Sequence, residues 1–176
     1  MRCTPVATTL LLAGILAAVS AQEPAKGPKP SQRGSVSQRI DDTLISIDYS
    51  RPVARGRELF GALVPWGRVW CPGADDATTI EATGPVTLNG QELPKGKYSV
   101  WAIPGAEKWT IILNRAAAVW HTRYPAGQDA LRIDVTPRAG AHMETLAFYF
   151  PVVDGKKGEL VLHWGTVVVQ VSVEVP

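Results

Sequence analysis

The strongest constraint on the fold is the alternation of apolar and polar residues near the C-terminus. Valine occupies every second position from 167 to 175, with Gln170, Ser172 and Glu174 between the last of them. A period of two places successive side chains on opposite faces of a strand, so this pattern predicts a strand with one buried face. The same pattern recurs, with some irregularity, in residues 45–49, 109–113, 146–150 and 160–164.

Turn residues separate the alternating segments. Asn89-Gly90 joins residues 86–88 to residues 91–93, and this pair favours the positive φ angles of a two-residue hairpin turn. Residues 58–64 and the alanines near Ala116 predict at most one or two turns of helix, because no segment keeps a long 3.6-residue period. The whole pattern predicts an all-β chain, a single antiparallel β-sandwich of about nine or ten strands.

The N-terminus is typical of a secretory signal peptide. Arg2 precedes an apolar run over residues 6–19, and small residues follow up to Ala21. The run is shorter than the roughly 20 apolar residues that a membrane span needs. We therefore expect cleavage after Ala21 and an exported chain, periplasmic or extracellular, that is not embedded in the membrane.

The rest of the chain divides into a linker and one domain. Residues 22–34 are rich in proline, glycine and charge, and such a segment buries too little apolar surface to offset its ordering entropy. The predicted organisation is a signal peptide (1–21), a flexible linker (22–34) and a β-sandwich domain (35–176). Loss of Arg2 with the leader leaves 17 basic against 16 acidic residues, which argues against a nucleic-acid partner.

The segment between the first predicted strands, residues 49–78, carries an ordered run of aromatic, glycine, proline and arginine residues. Its members are Tyr49, Ser50, Arg51, Pro52, Gly56, Arg57, Phe60, Gly61, Val64, Pro65, Gly67, Val69, Trp70, Gly73, Ala74, Ala77 and Thr78. The run resembles the opening block of a family of exported bacterial domains, domain-of-unknown-function family 2911. A second block is similar at Gly96, Tyr98, Ile103, Pro104, Trp109, Ile111 and Asn114, and Trp164 matches a late one. The resemblance covers the chain from about Ser35 to its end.

The resemblance implies a leader peptide and an all-β domain with no assigned activity, so it supplies no catalytic residues. The chain departs from the family within residues 70–78. The family usually has Trp-Arg-Thr-Gly-Ala-Asn-Glu-Ala-Thr, where this chain has Trp-Cys-Pro-Gly-Ala-Asp-Asp-Ala-Thr. Cys71 replaces a basic side chain and Asp75 replaces an amide. If the usual Arg and Glu form a functional pair, this chain has lost half of it.

The irregular block predicts a binding site, because loops on a rigid scaffold often bind ligands. We expect a non-enzymatic binding module for a small molecule, a glycan or an envelope protein. Arg51, Arg57 and Trp70 would contact the partner, Asp75 and Asp76 would shape the loop, and Thr78 completes the predicted ligand-binding set. The alternative is structural: the arginines, with Arg55 and Arg68, form an ion-pair network with the aspartates.

Catalysis is a second hypothesis. In a periplasmic hydrolase or transferase, Asp75 or Asp76 would act as general acid or base beside the arginines. Cys71 is a candidate nucleophile, but no histidine adjoins it in sequence, and a small buried side chain is the alternative. A structural envelope component that dimerises through Cys71 is a third hypothesis, since leader removal leaves this single thiol. Neither a metal nor a cofactor is expected, because no closely spaced histidine ligands occur.

The chain has six tryptophans. Strand phase places Trp109 and Trp164 in the core, and it leaves Trp66, Trp101 and Trp120 less constrained. Residues 120–124 predict a loop that either lines a cleft or covers an edge of the sandwich.

Overall fold

A computed structural model describes residues 29–176. The described residues form ten strands and no helix, so the predicted all-β class is confirmed. The strands are β1 (Gln32–Ile40), β2 (Thr43–Arg51), β3 (Thr79–Ala82), β4 (Val86–Leu88), β5 (Gln91–Leu93), β6 (Gly96–Ile103), β7 (Trp109–Asn114), β8 (Asp129–Val135), β9 (Arg138–Asp154) and β10 (Lys157–Glu174). The predicted signal peptide and residues 22–28 of the predicted linker lie outside the described residues.

The strands form two antiparallel sheets that pack face to face. One sheet has six strands in the order β1-β2-β3-β6-β7-β8, and the other has four in the order β5-β4-β10-β9. The alternating residues fill the space between them: Ile45, Ile47 and Tyr49 of β2 are each at most 4% exposed. Trp109 and Trp164 also belong to this core, as predicted. The predicted sandwich is confirmed.

The predicted hairpin turn between β4 and β5 is confirmed. Asn89 and Gly90 have φ values of 47° and 78°, and Leu88 pairs with Gln91 across the turn. Positive φ at both central residues is the geometry of a type I′ turn. The Asn89 side chain also binds Ser172 of β10, whose backbone N–H it accepts at 2.8 Å, so the turn is tied to the neighbouring strand.

The first strand begins earlier than the predicted linker allows. β1 starts at Gln32, whereas the predicted linker extends to Gly34. The difference arises because β1 pairs with β2 along its whole length, from Gln32 opposite Arg51 to Ile40 opposite Thr43. Pairing with β2 satisfies the backbone N–H and C=O groups of residues 32–34, and this gain cannot be read from their polar composition.

The two longest strands differ most from the predicted pattern. Residues 160–164 and 167–175 look like separate strands, because their buried positions are even-numbered and then odd-numbered. The structure joins them in β10 through a bulge, with register shifts on both sides of Gly165. Gly165 adopts a left-handed φ of 59°, and the extra residue rotates the strand so that Trp164 and Val169 both face the core.

A second, smaller core explains the position of Cys71. Cys71, Ala77, Trp101 and Ile112 form a buried cluster separate from the main core. Ile112 belongs to β7, where it interrupts the expected polar outer face, and loop residues around Cys71 and Tyr124 cover it. Trp101, which strand phase left less constrained than Trp109 and Trp164, is 1% exposed.

Across residues 29–176 the structure contains no helix that is long and apolar enough to span a membrane.

Candidate functional site

A cleft of about 520 Å³ lies beside the long connection between β2 and β3. Most of its walls come from this connection, residues 52–78. The remaining walls come from the chain before β1, from the loop after β7 and from β10. The lining residues are Pro30, Ser31, Pro52, Val53, Arg55, Arg57, Leu63, Val64, Val69, Trp70, Cys71, Gly73, His121, Thr122 and Trp164. The predicted loop block therefore does contribute to a concave surface.

Two stacked tryptophans form the aromatic part of the cleft wall. The rings of Trp70 and Trp164 lie 6.1 Å apart at an interplanar angle of 11°. Phe60 and Trp109 meet Trp70 edge-on at 5.9 and 6.2 Å. The Trp70 backbone exchanges two 2.8 Å hydrogen bonds with Ala102 of β6. Since rings and backbone are both fixed, this wall is preorganised.

Trp164 also carries an unpaired donor. Its indole Nε1 is buried and has no hydrogen-bond acceptor within the described part of the chain. A buried donor without a partner costs about 1–3 kcal/mol, and most buried polar groups therefore find one. Trp164 lines the cleft but is only 2% exposed, so the unpaired N–H lies beneath the cleft surface.

Arg57 and Arg55 line the same cleft and are held by backbone carbonyl groups. Arg57 donates from Nε to the Ala54 carbonyl at 2.9 Å and from Nη2 to the Val53 carbonyl at 2.6 Å. Arg55 donates from Nη2 to the Pro30 carbonyl at 3.3 Å. Neither guanidinium forms an ion pair with any carboxylate of residues 29–176. The alternative of an arginine–aspartate network is therefore not observed among these residues.

The charge of the cleft follows from its lining. Arg55 and Arg57 are the only lysine, arginine, aspartate or glutamate side chains among the described lining residues. Glu144 lies nearby, but its carboxylate accepts the backbone N–H of Arg55 at 2.7 Å. Hydrogen bonds from His142 and from that N–H lower the pKa of Glu144. The cleft thus presents positive charge with no lining carboxylate to neutralise it.

His121 supplies an acceptor. Its Nδ1 lies 2.6 Å from the carbonyl oxygen of Asp75, which also accepts the His121 backbone N–H at 3.0 Å. Because a carbonyl oxygen only accepts, Nδ1 carries the proton in the neutral ring. Nε2 is then left as an acceptor, and it has no hydrogen bond to another residue of 29–176.

The structure places the predicted contact residues unequally. Arg57 and Trp70 line the cleft, whereas Arg51 does not. Arg51 donates from Nε to the Leu146 carbonyl at 3.2 Å and so ties β2 to β9. Thr78 is fully buried and donates to the Pro72 carbonyl at 2.6 Å. Arg51 and Thr78 therefore support the loop.

The predicted acids do not line this cleft either. The Asp75 carboxylate pairs with Lys29 at 3.3 Å, and its backbone adopts a left-handed φ of 61°. Asp76 lines a different depression, beside Trp120. The structure therefore does not bring Asp75 and Asp76 together with the arginines in one concave site.

Cys71 lines the cleft but lacks the features of a nucleophile. It is 1% exposed, and its Sγ accepts the backbone N–H of Thr78 at 3.3 Å. Burial raises the pKa of the Cys71 thiol to about 11, against the lowering effect of the Thr78 hydrogen bond. The thiol is therefore protonated at neutral pH, and the thiolate is the reactive form. Within residues 29–176, no group of three His, Cys, Asp or Glu side chains is arranged to hold a metal ion.

Sequence reasoning missed part of the cleft. The alternating pattern places Trp164 in the core and does not indicate that it also lines the cleft. The bulge at Gly165, which sets the position of Trp164, is not visible in the sequence. Arg55 was considered together with Arg51, Arg57 and Arg68 but was not among the predicted contact residues. The loop at 120–124 was the useful signal, because its alternatives included a cleft, and His121 and Thr122 do line one.

Comparisons with known proteins identify the family. No curated protein and no solved structure matches the chain. Residues 31–173 match the family described as Protein of unknown function (DUF2911). This match covers most of the chain and agrees with the resemblance of residues 49–78, so the chain belongs to the DUF2911 family.

Proposed function

We propose that this protein is a binding module whose cleft takes a small anionic molecule with a flat apolar face. The cleft volume of about 520 Å³ lies within the range of about 300–1,000 Å³ common for small-ligand sites. Such a volume favours a small molecule over the glycan and envelope-protein alternatives at this cleft.

The observation that carries the proposal is the uncompensated arginine pair. Arg55 and Arg57 have N–H groups left over after their bonds to the Pro30, Val53 and Ala54 carbonyls. Hydrogen bonds between charged partners contribute about 1.5–3 kcal/mol, more than neutral ones. Because no carboxylate lines the cleft, an incoming carboxylate or phosphate would not be repelled.

Trp70 supports the second half of the proposal. Trp70 lines the cleft and is partly exposed, so its ring offers an apolar surface that a flat ligand can contact. His121 Nε2 would accept from a ligand hydroxyl.

Isothermal titration with matched ligands tests the proposal. We expect D-glucuronate or benzoate to bind and their neutral counterparts, methyl glucoside and benzamide, to bind at least tenfold more weakly. Arg55→Ala and Arg57→Ala should each weaken acid binding about 10- to 100-fold, as the loss of about 1.5–3 kcal/mol implies.

Arg68→Ala is the matched control, because Arg68 is exposed in the same connection but does not line the cleft. It should bind acids as the wild type does. Equal affinity for acids and neutral counterparts, or equal losses in all three variants, would contradict the proposal.

The other hypotheses remain predictions. A hydrolase or transferase that uses Asp75 or Asp76 gains no support from the cleft, since neither acid lines it. A dimer linked through Cys71 would need that buried thiol to become accessible. Export, with cleavage after Ala21, stays part of the proposal.

A further inference from the structure

We infer that a second site, on the outer face of the six-stranded sheet, binds a pyranose ring of a neutral oligosaccharide stacked on Trp120. The site is a depression of about 520 Å³, separate from the cleft. Its lining comes from β1, the end of the connection before β3, β3 itself, β6 and the loop after β7. The lining residues are Arg33, Asp76, Ala77, Thr79, Lys97, Ala117, Ala118, Val119 and Trp120.

Trp120 is an exposed aromatic surface on a fixed backbone. Trp120 is 44% exposed, although tryptophan is usually well covered. The Trp120 backbone forms a β-bridge with Asp76, and the Ala77 N–H donates to the Val119 carbonyl at 2.9 Å. The ring also lies against that of His121, with centroids 5.4 Å apart. The Trp120 backbone is therefore fixed beside Asp76, and its indole is exposed there.

Polar groups of both kinds surround this aromatic surface. The Asp76 carboxylate has no hydrogen bond or ion pair with another described residue, so both its oxygens are free to accept. The Arg33 guanidinium likewise has no hydrogen bond or ion pair with another described residue, so its N–H groups are free to donate. Thr79 adds a hydroxyl to the lining, and Ala117 and Ala118 are too small to fill the space.

This combination favours a carbohydrate over other ligands. A pyranose with equatorial substituents has a flat face of axial C–H groups that matches an indole, and its hydroxyls need both donors and acceptors around the rim. Lys97 is paired with Glu81 at 3.6 Å, and the Asp76 carboxylate offsets the charge of Arg33 in the same lining. The depression therefore lacks the net positive charge that a nucleic acid would require. The ligand class therefore differs from that of the arginine-lined cleft.

Calorimetric titration of the full exported chain with cellotetraose and with the N-acetylglucosamine tetramer tests the inference. We expect at least one of them to bind, with affinity reduced tenfold or more by Trp120→Ala and about tenfold by Asp76→Asn. Trp66→Ala is the matched control, because Trp66 is 45% exposed but lies outside the depression.

Melting temperatures keep the test decisive. Both Trp120 and Asp76 are exposed, so their variants should melt within about 2 °C of the wild type. If Trp120→Ala destabilises the chain more than this, Asp76→Asn combined with Arg33→Ala replaces it. The inference is overturned if neither oligosaccharide binds the wild type at millimolar concentration, or if Trp66→Ala loses as much affinity as Trp120→Ala. Arg57→Ala should leave oligosaccharide binding unchanged, so this result is independent of the acid-binding proposal.

Discussion

Replacing Gly165 with alanine tests the bulge that places Trp164 in the cleft wall. Gly165 has a φ of 59°, a left-handed conformation that alanine adopts at a cost of about 1–2 kcal/mol. A Cβ at this position would also lie 2.8 Å from Leu59 Cδ1. Leu59 is buried, so moving its methyl group disturbs packing at a further cost of about 1–3 kcal/mol.

We therefore expect Gly165→Ala to lower the free energy of unfolding by about 2–5 kcal/mol. Gly155→Ala is the matched control. Gly155 has a φ of 54° in the turn between β9 and β10, but a Cβ at that position would have no atom within 4 Å, so only the backbone cost of about 1–2 kcal/mol applies.

Urea unfolding followed by tryptophan fluorescence measures both values, with an unchanged m-value as the check for two-state behaviour. A double-mutant cycle sharpens the test. In a Leu59→Ala background the contact with Cδ1 is absent, so Gly165→Ala should cost no more than Gly155→Ala. The reasoning is refuted if Gly165→Ala costs no more than the control in the wild-type background, or if Leu59→Ala leaves the excess unchanged.

Three further outcomes are expected. Thr78→Val should lower the free energy of unfolding in urea by about 1–3 kcal/mol, because the buried Pro72 carbonyl loses its donor. Thr87→Val loses no side-chain hydrogen bond within the described residues and should lower it less. Equal losses in the two variants would contradict this. Burial raises the pKa of Asp129, but hydrogen bonds from Tyr124, Asn114 and Arg132 bring the net pKa below its ordinary value. The stabilisation from the Asp129 carboxylate is therefore present above about pH 4 and is lost as the pH falls through the lowered pKa. Asp129→Asn should make the free energy of unfolding depend less on pH in the acid range. An unchanged pH dependence in this variant would contradict the role assigned to Asp129. Cys71 should react with iodoacetamide at pH 8 far more slowly in the folded chain than in urea, since burial raises its pKa to about 11. Equal reaction rates in the folded and unfolded chain would contradict the burial of this thiol.

Much of the fold was predictable because its signals are local. Alternation along residues 45–49 requires only a period of two, and the Asn89-Gly90 turn requires only two residues of suitable conformation. The phase change at Gly165 was not predictable in the same way. A bulge is visible only against its partner strand, and here the partner, β9, is irregular as well.

The site was predictable in part for the same reason. A dense cluster of arginines in residues 51–68 correctly indicated an irregular loop. The partner of each side chain depended on tertiary structure: Arg51 meets the Leu146 carbonyl, and Asp75 meets Lys29. Cys71 is buried because it belongs to a second core on the outer face of the six-stranded sheet. In the sequence, the only sign of this core is Ile112, an apolar residue at a position where the alternating pattern predicts a polar one.

The most direct test of the cleft is a ¹H–¹⁵N spectrum of the six indole N–H groups during titration with D-glucuronate. We expect the Trp70 and Trp164 signals to move together and saturate, while those of Trp101 and Trp109 stay in place, because the first pair lines the cleft and the second does not. Arg57→Ala should abolish the movement. Stationary Trp70 and Trp164 signals at a saturating acid concentration, or equal shifts at all six indoles, would contradict a cleft built from the arginine loop and β10.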